Sequence, residues 1–117
     1  MKSKEKIIWL ALLLSYAVLI FYLSGQSQES LPVPQLFPNQ DKVMHMIEYA
    51  GMGWLAMKAL QPLNRAGFIA CVGFFMLFAA LDEVHQAFVP GRDADVMDWL
   101  ADAVGILISS YIYYKNK

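Results

Sequence analysis

Between Leu81 and Gly105 the chain sets Asp82, Glu83, Asp93, Asp95, Asp98 and Asp102, with His85 and Arg92, directly between two apolar segments. Carboxylates this dense are suited to proton transfer, ion pairing or cation binding, and an arginine among them suits a bidentate carboxylate or phosphate partner. A second group precedes it. Asp41, His45 and Tyr49 recur every four residues and so line one face of a helix, with Lys42 and Glu48 close beside them. Asp95, Asp98 and Asp102 follow i, i+3, i+7 spacing, which makes one polar stripe down a helix with Gly105 next along the same face. Glu83 and Gln86 share a face of the preceding helix, and Asp82 and Gln86 share the neighbouring one.

Each group also has a plainer reading. Asp82, Glu83 and Arg92 form, on that reading, a charge-assisted network that pins a hairpin. Asp93 and Asp95 suit a helix start, where the dipole favours negative charge, but Asp102 lies a turn deeper and is not accounted for in this way. His85 is expected at the interface as an ordinary polar residue. Histidine and carboxylate are zinc ligands, and His45 with Glu48, Glu83 or His85 supplies the types. No compact motif such as HExxH occurs, so neither a metal nor a cofactor is expected.

The elements that position these residues are set by an apolar solvent. Hydrophobic residues make up 58% of the 117 residues and the mean hydropathy is +0.42, too apolar for an ordinary soluble domain of this size. One integral membrane domain over 1–117 is expected, all-α, with helices at about 7–23, 42–60, 66–88 and 96–114 forming a four-helix bundle. The first run, Ile7 to Leu23, spans roughly 25 Å at 1.5 Å per residue. A cleaved signal peptide is the alternative, but Leu23-Ser24-Gly25 lacks the small residue expected three positions before a cut. Pro32, Pro34 and Pro38 make 24–40 a loop, and Gln61-Pro62-Leu63-Asn64-Arg65 breaks the next helix. Pro90-Gly91 supplies the turn of a helical hairpin. A net charge of −1 offers nucleic acid no basic face, and with Cys71 the sole cysteine no intrachain disulfide can form.

Charge sidedness gives the topology. Lys2, Lys4, Lys6, Lys58, Arg65, Lys115 and Lys117, seven of the nine basic residues, fall on the side that holds both termini and the 61–65 connection. The positive-inside bias makes that side cytoplasmic. Of the ten acids only Glu5 lies there, so every ionisable group that intrudes on the outer halves of the spans enters from outside. Carboxylates facing lipid are costly; the stripes are therefore expected to turn inward and meet His45, Glu48 and Arg92 in a water-accessible pocket at the outer leaflet.

Asp41-Lys42-xx-His45-xxx-Tyr49, then Asp82-Glu83-xx-Gln86-xxx-Pro90-Gly91-Arg92, then Asp98-Trp99-Leu100-Ala101-Asp102-xx-Gly105 resembles the signature of the VanZ-like family of small bacterial membrane proteins. The likeness covers about residues 24–107 and includes Ser24-x-Gln26-Ser27. Asp102 departs from it, since the family often carries asparagine there. The family is named for a protein associated with low-level resistance to teicoplanin-type glycopeptides, so the resemblance implies a multi-pass protein of the bacterial cytoplasmic membrane. The site residues it marks are Asp41, Lys42, His45, Tyr49, Asp82, Glu83, Gln86, Arg92, Asp98 and Asp102, to which the helix-face reading adds Glu48.

Three classes of function follow. The first is a non-enzymatic protein of the cell envelope whose outer-leaflet pocket engages membrane lipid, a lipid-linked cell-wall precursor or the glycopeptide itself. The second is a membrane-embedded enzyme with His45 or Glu83 as general base and Arg92 stabilising an anion. The third is a lipid or proton-coupled transporter. The first fits best, because no nucleophile motif is recognisable and Lys58 is the only charge within the inner half of a span.

Overall fold

The computed structural model describes residues 2–24, 36–90 and 95–116, and all regular structure among them is helical. Four antiparallel helices follow one another: α1 (Ser3–Ser24), α2 (Gln40–Leu60), α3 (Arg65–Gln86) and α4 (Val96–Lys115). The bundle is 43 Å long, close to the thickness of a bilayer with its headgroups, about 40–45 Å.

Local chemistry sets the boundaries. α1 starts before its apolar run because Lys4, Glu5 and Lys6 are good helix formers, and the Lys6 N–H already bonds the Lys2 carbonyl at 3.0 Å. The Asn64 side chain caps α3 by accepting from the Gly67 N–H at 2.8 Å. α3 ends at Gln86, two residues short of the expected 88. The Phe88 and Val89 N–H groups bond carbonyls only three residues back, at 3.1 Å each, and Pro90 has no N–H to continue the ladder. Asp95 caps α4, its carboxylate accepting from the Met97 N–H at 2.9 Å.

α2 is the central helix. It runs against α4 along most of its length, α1 packs on its other side, and α3 joins mainly through α4. Tyr49, Met52, Ala56, Met57 and Ala59 of α2 form the core with Leu13 and Ile20 of α1, Val72, Phe75 and Ala79 of α3, and Ile106 of α4. Two glycines let α2 and α4 meet backbone to backbone. A side chain at Gly105 would run into the Met46 carbonyl and the Ala50 N, and one at Gly53 would meet the Ile106 carbonyl and the hydroxyls of Ser109 and Ser110.

The distribution of polarity is the reverse of a soluble bundle. Ile7, Leu14, Val18, Ile69, Phe74 and Leu77 stand more than half exposed, whereas Asp82, Glu83, Asp98 and Asp102 are buried. Such an apolar exterior is stable when lipid is the solvent. α1, α3 and α4 are each long and apolar enough to cross a membrane. α2 is as long as the others but does not share their apolar composition, because its first half carries Asp41, Lys42, His45 and Glu48. Packing shields part of that half: Lys42, His45 and Glu48 are partly buried, whereas Asp41 stays exposed.

Candidate polar site within the bundle

Because the helices alternate in direction, the last turns of α1 and α3 and the first turns of α2 and α4 come together at one end of the bundle. The polar stripes converge there. Tyr49, buried on α2, donates its hydroxyl to Asp82 Oδ2 of α3 at 2.8 Å. The hydroxyl of Ser24, at the end of α1, donates to the Asp82 carbonyl at 3.5 Å, which ties a third helix to the same point.

One turn toward the helix start, His45 Nδ1 lies 2.9 Å from Asp102 Oδ1 of α4. Asp102 is 1% exposed, and its second oxygen, Oδ2, is buried with no hydrogen-bond partner. Glu83 closes a triangle: one ligating atom each from His45, Glu83 and Asp102 fall within 4.8 Å of one another. The Asp95 N–H donates to Glu83 Oε1 at 2.8 Å and so fixes this carboxylate from the start of α4.

Nearest the rim, Lys42 Nζ sits 2.9 Å from Asp41, 3.2 Å from Asp95 and 3.1 Å from Asp98. The Asp98 side chain is only 7% exposed, against 52% for Asp41 and 44% for Asp95, so the inward pair is shielded from salt and the other two are not. The Met97 N–H, followed by Lys42, holds the Asp95 carboxyl below its usual range. Below this layer the Trp99 indole N–H donates to the Met76 carbonyl at 3.1 Å and locks α4 to α3.

Ten of the residues read from the sequence can thus be placed. His45, Asp102 and Glu83 come together, Lys42 gathers Asp41 and Asp98, and Tyr49 meets Asp82, while Gln86 is buried at the same end. Glu48 is half-buried, and its backbone carbonyl accepts from the hydroxyl of Tyr16 on α1. Arg92 and Gly91 lie outside the described residues, as do Gln26 and Ser27. The His85 ring stacks on Phe21 of α1 with centroids 4.3 Å apart.

The parts played by three residues are not legible in the sequence. Asp95 is more than a helix start, since its backbone orients Glu83 and its carboxylate holds Lys42. Ser24 and Tyr16 end facing the interior rather than lipid, and nothing local to an apolar helix distinguishes a tyrosine that bonds a neighbour's carbonyl from one that settles at the interface.

Chemically, the described residues make the site rich in acceptors, with Lys42 as the cation at its rim. It suits donor-bearing groups such as ammonium, hydroxyl and amide, and it holds one imidazole in a fixed orientation between two carboxylates. A family model described as VanZ/LLP1 matches residues 7–115 of the 117-residue chain. No curated protein and no solved structure matches it.

Proposed function

The chain belongs to the VanZ-like family, and on that premise we propose that it is a non-enzymatic, multi-pass protein of the bacterial cytoplasmic membrane that binds a donor-rich lipid headgroup in a polar pocket at the outer leaflet. The carrying observation is the burial of Asp82, Glu83, Asp98 and Asp102 together at one end of a bundle whose exterior is apolar. Carboxylates in hydrocarbon surroundings are costly unless a partner or function requires them. The basic residues of both termini and of the 61–65 connection sit at the opposite end, which supports a cytoplasmic placement for that end and an outer-leaflet placement for the acids.

The chemistry narrows the ligand class. Acceptor-rich walls select hydroxyls, amides and ammonium groups over bare phosphate, and a lipid-linked cell-wall precursor carries such donors on an anchor that would bring it laterally to the site. The family's association with glycopeptide resistance favours this member of the class, or the glycopeptide itself. The test is native mass spectrometry of the purified protein offered phosphatidylglycerol, phosphatidylethanolamine and a lipid-linked disaccharide peptide. Preferential retention of the last, lost in Asp98→Asn, is expected; equal retention of all three would remove the reading.

One observation favours an enzyme instead. The 2.9 Å bond between His45 and Asp102 is the geometry of an oriented general base, with an oxygen of Glu83 within 4.8 Å of the pair. Turnover of an offered lipid that disappears in both His45→Gln and Asp102→Asn would favour this second reading over the first.

A further inference from the structure

We infer that His45, Glu83 and Asp102 form a binding site for a divalent transition ion of the zinc class. The inference does not depend on the lipid ligand proposed above. Three residues from three different helices each bring one ligating atom to within 4.8 Å of the others, a convergence that helix periodicity alone does not produce.

The donor set fits the ion. One imidazole nitrogen and two carboxylate oxygens are zinc ligands, and two negative charges balance a 2+ cation in a buried site. Ligand atoms about 2.0–2.2 Å from one ion sit roughly 3 Å apart at right angles and about 3.4 Å apart in a tetrahedral site, so the 2.9 Å between His45 Nδ1 and Asp102 Oδ1 would open by about half an ångström around a tetrahedral ion. Three protein ligands leave positions for water or an incoming group, the arrangement of an open rather than a closed zinc site.

Two further features point to a cation rather than to hydrogen bonding within the cluster. Asp102 is 1% exposed, yet Oδ2 is buried and unpartnered, an arrangement that a bound ion accepting both carboxylate oxygens would satisfy. Glu83 is oriented from behind by the Asp95 N–H on Oε1, the kind of support that metal-ligating carboxylates have. Among the described residues the nearest cation, Lys42, lies on Asp41, Asp95 and Asp98, and Tyr49 covers Asp82 Oδ2. An imidazolium held between Glu83 and Asp102 is the competing arrangement, and it would leave Asp102 Oδ2 without a donor.

The experiment uses the full chain in detergent, stripped with chelator and titrated calorimetrically with zinc chloride, with manganese and magnesium chlorides as parallel arms. One zinc per chain is expected, with at least tenfold weaker uptake by Glu83→Gln and by Asp102→Asn. Glu5→Gln, which removes a carboxylate at the far end, should bind as wild type does. Cobalt added to the stripped wild type should give d–d absorption of a nitrogen and oxygen site, which needs no variant to fold. Absence of saturable zinc uptake by wild type, uptake unchanged in both site variants, or no cobalt spectrum would each overturn the inference.

Discussion

The close passage of α4 over α2 makes a prediction whose sign differs between two chemically identical substitutions. An alanine Cβ at Gly105 would stand 2.9 Å from Ala50 N and 3.1 Å from Met46 C, and closer still to the Met46 carbonyl oxygen, against an ordinary contact of 3.4 Å or more, so α2 must retreat by roughly 1 Å. These are backbone atoms and cannot swing aside. Overpacking of this kind costs about 1–3 kcal/mol, partly offset by the roughly 1 kcal/mol that alanine gains over glycine within a helix. Gly73 in α3 is the internal control, because a Cβ there meets nothing within 4 Å, so Gly73→Ala keeps only the helical gain. The two variants should therefore separate by roughly 1–3 kcal/mol in SDS titration of the purified protein in mixed micelles. Gly105→Ala should also disturb the site, since Met46 is next to His45 and Gly105 is three residues after Asp102. Equal stability of the two variants would refute the argument that the α2–α4 spacing is set by glycine.

Other outcomes follow from the same geometry. Tyr49→Phe removes the donor on Asp82 Oδ2 while Oδ1 already has none, and should destabilise by about 1–3 kcal/mol in the same titration. Trp99→Phe deletes the bond to the Met76 carbonyl and should loosen α3 from α4, read as faster hydrogen exchange around Met76 in the middle of α3 with α1 unaffected. Asp95 has a folded pKa below its unfolded value near 3.9, so its stabilisation is complete above that value and is lost as pH falls through the lower folded pKa. Asp95→Asn should accordingly flatten the acid limb of the stability profile, and an unchanged limb would remove this residue from the account. A single cysteine at Pro90, with Cys71 replaced, should react with an impermeant thiol reagent in intact cells and one at Asn116 should not; the opposite pattern would invert the proposed topology.

Much of this architecture can be read without coordinates, for specific reasons. Apolar runs long enough to cross lipid announce α1, α3 and α4, and the i, i+3, i+7 spacing of Asp95, Asp98 and Asp102 already puts them on one face with Gly105. The inward turn of that face follows from the cost of carboxylates in lipid. What periodicity does not contain is the pairing across helices. Nothing in the spacing says that His45 meets Asp102 while Lys42 takes Asp98, because that choice depends on the axial stagger of α2 and α4. The stagger is set by Gly53 against Ile106 and by Gly105 against Met46, tertiary contacts with no local signal. The metal-like trio is legible only in part for the same reason: His45 and Glu83 stand among the candidate zinc ligands of the sequence, but Asp102 does not, since the members are 38 and 19 residues apart and no compact motif joins them.

The central claim, that the buried acids serve a ligand rather than hold the bundle together, is tested most directly with one doubly neutral protein, Glu83→Gln with Asp102→Asn. Its thermal stability in detergent is measured beside the teicoplanin susceptibility of cells expressing it. Lys42 with Asp98, Tyr49 with Asp82, and Trp99 with Met76 remain to hold the helices, so the account predicts stability at or above that of wild type and loss of any protection that wild type confers. A double variant that is normally stable and protects cells as well as wild type does would contradict it.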